Sequence, residues 1–175
     1  VKTIEPEQET GRWLVDFKVE KWFDPRDKYL GHEPNEVVYG ESNVLTTAGI
    51  TRMLSLLIGG GGQAFTNTHA RLGVGTGSTA VTSADTDLAG GSKLYHGMDA
   101  TYPSVVGNVV TFQASFADSQ ANFAWNEWGI DCGGAGTGAT NAVVVAPLLN
   151  RRVPPVSLGT KTGGIWILTV TITIS

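Results

Sequence analysis

A single cysteine, Cys132, is too few for an intrachain disulfide or a cysteine-based zinc site. It reads instead as a small apolar residue in a reducing compartment. Charge is scarce as well: 16% of residues are Asp, Glu, Lys or Arg, against about 25% in an ordinary soluble domain. With 12 basic and 16 acidic residues the net charge is −4, so the chain lacks the basic footprint that a phosphate backbone requires. Nucleic acid is therefore not an expected partner. No stretch approaches the roughly 20 apolar residues of a membrane helix, and no amino-terminal apolar run has the form of a signal peptide, so no membrane partner is expected either. The three histidines, His32, His69 and His96, lie far apart and outside the spacing of a His-Glu-x-x-His metal site. They read as surface or turn residues, and no cofactor or metal is expected.

What is plentiful is glycine, 23 residues in a chain of 175, together with strict alternation of apolar and polar side chains. This length suits one domain with a real core. Residues 1–11 (VKTIEPEQETG) are polar, acidic and without periodicity, and predict an extended arm ahead of a single β-rich domain over 12–175. From Arg12, Trp13, Val15, Phe17 and Val19 alternate with Leu14, Asp16, Lys18 and Glu20, the period of a half-buried strand. The stretch FDPRDKYLGHEPNE then reads as a loop displaying Phe23, Tyr29 and Leu30, and EVVYG as a short strand.

One helix is predicted over about 47–58. Ile50, Met53, Leu54 and Leu57 share its apolar face, Thr46 or Thr47 caps it, and Gly59 ends it in a left-handed conformation. A helix this short must lay that face on something. Strands are predicted in ARLGVG, VVTFQASF, NFAWNEWGI, AVVVAPLLNRRV and GIWILTVTITIS, the last interior to its sheet. The expected fold is an antiparallel β-sandwich or flattened barrel with the helix over an open edge or end.

The chemical motifs are incomplete. Gly73, Gly75 and Gly77 in GVGTGST follow a strand, but no amphipathic helix and no Walker lysine come after them, so they read as a strand-to-loop turn. GTKTG, over residues 159–163, lacks the upstream glycine. Asp85 and Asp87 in SADTDLAG lack the further carboxylates of a calcium loop and read as turn caps. No Gly-x-Ser-x-Gly elbow anchors a nucleophile.

The exception is NFAWNEWGID. A carboxylate among indoles can have its pKa raised by desolvation, as glycosidase acids do. In a regular strand Trp125, Glu127 and Gly129 share one face and Trp128 the other, so the tryptophans point to opposite sides. No second carboxylate is fixed nearby, so Glu127 reads as a structural residue paired with Lys161, Arg151 or Arg152.

The order of NVLTTAGITRMLSLLIGGGGQAF, ARLGVGTGSTA, DTDLAG, MDATYP, VTFQASFADSQANFAWNEWGI, LLNRRV and LGTKTGGIWILTVTITIS, over about residues 41–175, resembles a family of small virion structural proteins of tailed bacteriophages. FDPRDKYLGHEPNE and DCGGAGTGAT depart from that pattern. The resemblance implies a β-rich component of the virion, made in the host cytoplasm, without enzymatic activity. Its expected role is a capsid decoration, or cement, protein bridging major capsid subunits; the alternative is a tail or baseplate component held by tail proteins. A carbohydrate-binding module using Trp125 or Trp128 as a sugar platform fits less well. A homo-oligomer or symmetric lattice is expected. Phe23, Arg26, Tyr29 and Leu30 are the expected subunit contacts, since aromatic and Arg side chains anchor interfaces. The arm is expected to order on neighbouring subunits, with the glycine-rich loops around Gly75 and Gly136 as the fallback contact surface.

Overall fold

The computed structural model describes residues 11–134, 137–138 and 147–175. All but Gly11 of the arm expected over residues 1–11, together with Gly136 and the apolar start of AVVVAPLLNRRV, lies outside the described residues.

Among the described residues, ten strands form two antiparallel five-stranded sheets packed face to face, a β-sandwich. The first sheet has β1 (Trp13–Trp22), β2 (Glu36–Glu41), β6 (Ser104–Val106), β7 (Val109–Phe116) and β10 (Ile165–Ile174), in the order β2-β1-β10-β7-β6. The second has β3 (Val44–Leu45), β4 (Arg71–Gly75), β5 (Lys93–Gly97), β8 (Glu127–Asp131) and β9 (Leu148–Arg152), in the order β3-β9-β8-β4-β5. Alternation sets the register. Phe17 lies opposite Val170 and Val170 opposite Phe112, while Val19 lies opposite Leu168 and Leu168 opposite Ala114, so whole rows face inward together. They meet Leu72, Val74, Trp128 and Ile130 of the second sheet in one core. Each large apolar side chain buried there contributes about 1.5–3 kcal/mol. As expected, β10 is interior, with β1 on one side and β7 on the other.

The helix α2 (Thr47–Leu57) starts at Thr46, whose hydroxyl accepts from Gly49 N, and Gly59 follows it with φ 68°. It packs on β9, near the β3 edge of the second sheet. Its buried side is not the expected one. Gly49 is buried and Met53 reaches the core, whereas Ile50, Leu54 and Leu57 are exposed, as is Ile58 just beyond. The helix backbone approaches β9 so closely that a Cβ on Gly49 would lie 2.5 Å from the Leu149 carbonyl oxygen. Periodicity defines a face, but this close approach, which only glycine allows, decides which way the helix turns.

Two further expectations are corrected. The loop after β1 contains a one-turn helix, α1 (Pro25–Tyr29), with Asp24 as its N-cap and proline at its start, where a missing N–H costs nothing. In NFAWNEWGI only Glu127 onward is strand. Before it the chain leaves the ladder: Trp125 N donates to Gly159 O, and Leu158 N donates to Trp125 O. That break in alternation brings Trp125 and Trp128 into the same core, rather than onto opposite faces. Trp125 packs edge-on against Phe116 and Trp166, with ring centroids 4.8 and 4.9 Å away, and Trp128 packs on Phe17 at 5.3 Å.

Candidate interaction surface

The outer face of the second sheet is a buried polar layer rather than a solvated one. Glu127, Gly129 and Asp131 alternate outward on β8, as do Arg71, Gly73 and Gly75 on β4, and residues 76–92 fold over them. Glu127 Oε1 accepts from Gly77 N at 3.0 Å and Gly90 N at 2.7 Å; Oε2 accepts from Ala89 N at 3.1 Å and Arg151 Nε at 2.7 Å. A carboxylate has about four acceptor positions, and all are taken. Glu127 is fully buried. It is therefore placed as a clamp on the covering loop, with no approach for a substrate oxygen.

Of the three expected partners for Glu127, Arg151 is the one that meets it. Arg151 also donates to Asp85 at 2.8 Å through Nη1 and to Thr79 through Nη2, tying the loop to the sheet at a second point. Asp85 caps its turn as expected, accepting from Thr82 N and Oγ1. Asp87 instead takes Lys93 Nζ and the Tyr95 hydroxyl, each at 2.6 Å. Burial, reinforced by Asp87, pushes the Tyr95 phenol far above its ordinary pKa. Lys161 lies in a different network, its ammonium donating to Ala117 O, Asp118 O and Asn122 Oδ1. Burial lowers its pKa to about 8, with the Asp118 carboxylate opposing.

The GVGTGST glycines make room in this layer. A side chain on Gly73 would strike the Tyr95 ring, and one on Gly75 or Gly77 would strike the Glu127 carboxylate. Gly75 is a buried strand residue, so it is not part of an exposed contact loop. Sequence reasoning missed the Arg71–Asp131 pair, which is bidentate at 3.0 and 2.7 Å. Its signal was present: Arg-x-Gly-x-Gly and Glu-x-Gly-x-Asp put charge and glycine together on one face of two strands.

The histidines are separate. His32 sits 3.1 Å from Asp27 Oδ1 and His69 2.9 Å from Thr66 Oγ1. His96 is a strand residue rather than a turn one, half-buried with its ring 5.4 Å from Phe116. Cys132 is buried, and burial raises its thiol pKa to about 11. Among the described residues, no three His, Cys, Asp or Glu side chains are grouped as metal ligands, and no helix is long and apolar enough to cross a membrane.

The expected contact residues lie on the turn around α1. Phe23, Tyr29 and Leu30 are 58%, 80% and 70% exposed. The turn carrying them is held at several points. Asp24 caps the helix, Phe23 N donates to Asn35 Oδ1 at 2.8 Å, and the Trp22 indole donates to His32 O at 2.9 Å. Arg26 is exposed, but its guanidinium already grips Asp24 through Nε and Nη2, which pulls the Asp24 carboxyl down to about 2. The structure thus brings three apolar groups and one internally engaged cation onto one short turn. Comparison with known protein families, with curated proteins and with solved structures finds no match.

Proposed function

We propose that this chain is a non-enzymatic structural subunit of a tailed-phage virion, and that it acts as a capsid decoration protein bridging subunits of the shell. The observation that carries the reading is the turn around α1, where Phe23, Tyr29 and Leu30 stand in solvent on a backbone fixed by side-chain and backbone hydrogen bonds. Exposed aromatic groups on a flexible loop would lose affinity to ordering. On a preordered turn they are ready anchors for a partner's pocket. The resemblance of residues 41–175 to phage virion proteins suggests the partner, and the fully hydrogen-bonded state of Glu127 supports a structural rather than a catalytic role for it. A sugar platform is disfavoured because Trp125 and Trp128 are both buried.

The test is copy number in purified particles, measured against the major shell protein. Hundreds of copies per particle support decoration. A few to tens place the chain in the tail or baseplate, and absence from the particle overturns the virion reading.

A further inference from the structure

A second surface is unfinished in a different way. A cleft of about 510 Å³ opens between edge strand β2 and the turn of residues 153–158. No residue of the turn around α1 lines it, so its occupant does not depend on the virion reading. One wall is apolar: Val38 packs against the core, and the Phe17 ring fills the space a side chain on Gly40 would need. Pro154, Pro155 and Val156 stand opposite. The two prolines offer no N–H, so this side cannot zip onto β2 as a regular strand.

The cleft is open in two respects, and the first is backbone. Ser42 N donates to Val15 O, so residues 36, 38, 40 and 42 direct their backbone groups to β1. Val37, Tyr39 and Glu41 direct theirs the other way, where no further strand lies beside β2 among the described residues. The second is charge. Arg152 lines the cleft, half-buried, and its Nε is shielded from water with no hydrogen-bond partner among the described residues. A charged donor kept from water costs free energy until an acceptor meets it. The two carboxylates at the rim are engaged or turned elsewhere: Glu36 is held by Lys21 at 2.8 Å, and Glu41 stands on the outer face of β2, across from Asp16.

We infer that the cleft takes an extended segment of a partner protein, added beside β2 as a further strand and carrying an Asp or Glu between apolar side chains. The outward N–H and C=O groups of Val37, Tyr39 and Glu41 supply the ladder. The pleat then fixes the side chains. Residues opposite one another across a ladder share a face, so every second residue of the added strand falls in line with Val38 and Gly40 and points toward the cleft. Val38, Val156 and the Phe17 ring match apolar groups there, while the Arg152 guanidinium matches a carboxylate, whose two oxygens suit its fork of donors. A second copy of β2 answers this charge poorly. Paired antiparallel about Tyr39, it would turn Glu36, Val38 and Gly40 inward, and Glu36 is already held by Lys21. The acid must come from a different sequence.

The probe is the acetylated and amidated heptapeptide TVTETVT, whose two valines and glutamate share one face when extended, titrated into the full chain beside TVTQTVT and beside butyrate. Amide NMR reads the outcome. In the free chain the N–H groups of Val37, Tyr39 and Glu41 are expected to exchange freely with solvent. The glutamate peptide is expected to bind saturably, to shift these three signals and the Arg152 Nε–H, and to slow their exchange. The glutamine peptide is expected to bind about tenfold more weakly, and Arg152→Gln to abolish that preference. Tyr39→Pro removes one outward N–H without touching the β1 ladder, and is expected to weaken the glutamate peptide in a chain whose circular dichroism is unchanged. Outward amides already protected in the free chain would overturn the inference, as would a glutamate peptide that fails to saturate, binds no better than its glutamine counterpart, or shifts signals away from β2. Butyrate binding as tightly as the peptide would make this a small-carboxylate site and overturn the added strand.

Discussion

The outer face of the second sheet and the turn around α1 use similar residues to opposite ends. Both bring Arg against Asp with bidentate geometry: Arg71 with Asp131 in one, Arg26 with Asp24 in the other. In the sheet the pair is buried, part of a layer in which Arg151 joins Glu127 to Asp85 and the covering loop satisfies the remaining lone pairs. On the turn the Arg26 side chain is 84% exposed, and its neighbours Phe23 and Tyr29 stand in water. A buried pair is costly to break because one charge is left without its partner, whereas an exposed pair is worth little. Burial thus separates the region that holds the fold from the region free to serve a partner.

The largest expected effect lies in the buried layer. Glu127→Ala leaves Arg151 with Asp85 as its one carboxylate partner and strips three backbone N–H groups of their acceptor, and should cost about 3–5 kcal/mol in chemical denaturation. Glu127→Gln keeps the volume and should cost less. An unchanged unfolding midpoint in the alanine variant would break the comparison at its strongest point.

Next comes α2, whose two sides sharpen the same contrast. Gly49→Ala places a methyl against the Leu149 backbone and should destabilise by about 1–3 kcal/mol. Leu57→Ala, on the exposed side, should stay within about 0.5 kcal/mol. Equal losses in thermal unfolding would mean that Leu57 is covered within the monomer.

Lys161 offers a pH-dependent test. Its pKa falls from 10.5 to about 8 on folding, so between those values the unfolded chain binds more protons and stability rises with pH. The gain, at most about 3 kcal/mol and less where solvent screens the ammonium, should be complete above about pH 10.5 and absent below pH 8. Lys161→Met should flatten that slope relative to wild type. A slope of the same size in both chains would assign it to other groups.

These contrasts also explain what could be read from the sequence. The long strands were legible because Phe17, Val19, Leu168 and Val170 alternate without interruption, and alternation is a local signal. The Glu127 partner was legible only as a short set of cations, since pairing through Arg151 depends on which strand lies beside β8. The shared core position of Trp125 and Trp128 was not legible. It follows from hydrogen bonds between Trp125 and residues 158–159, more than thirty positions away. The side on which α2 packs was hidden for a similar reason: a glycine's close approach to Leu149 leaves no mark in hydrophobic periodicity. The exposed residues at α1 were visible as apolar groups in a polar loop, but the hydrogen bonds that fix them, Trp22 to His32 and Phe23 to Asn35, are contacts of the folded turn.

The smallest expected effect on stability belongs to the turn, and it gives the most direct test of the central claim. Phe23→Ala combined with Tyr29→Ala should change the unfolding free energy by no more than about 1 kcal/mol, since both side chains are exposed. Binding of this double variant to particles lacking the protein, measured beside wild type, is the decisive quantity. The account predicts a folded protein whose affinity for the particle falls at least tenfold. A double variant that binds like wild type would contradict the assignment of this turn as the contact surface.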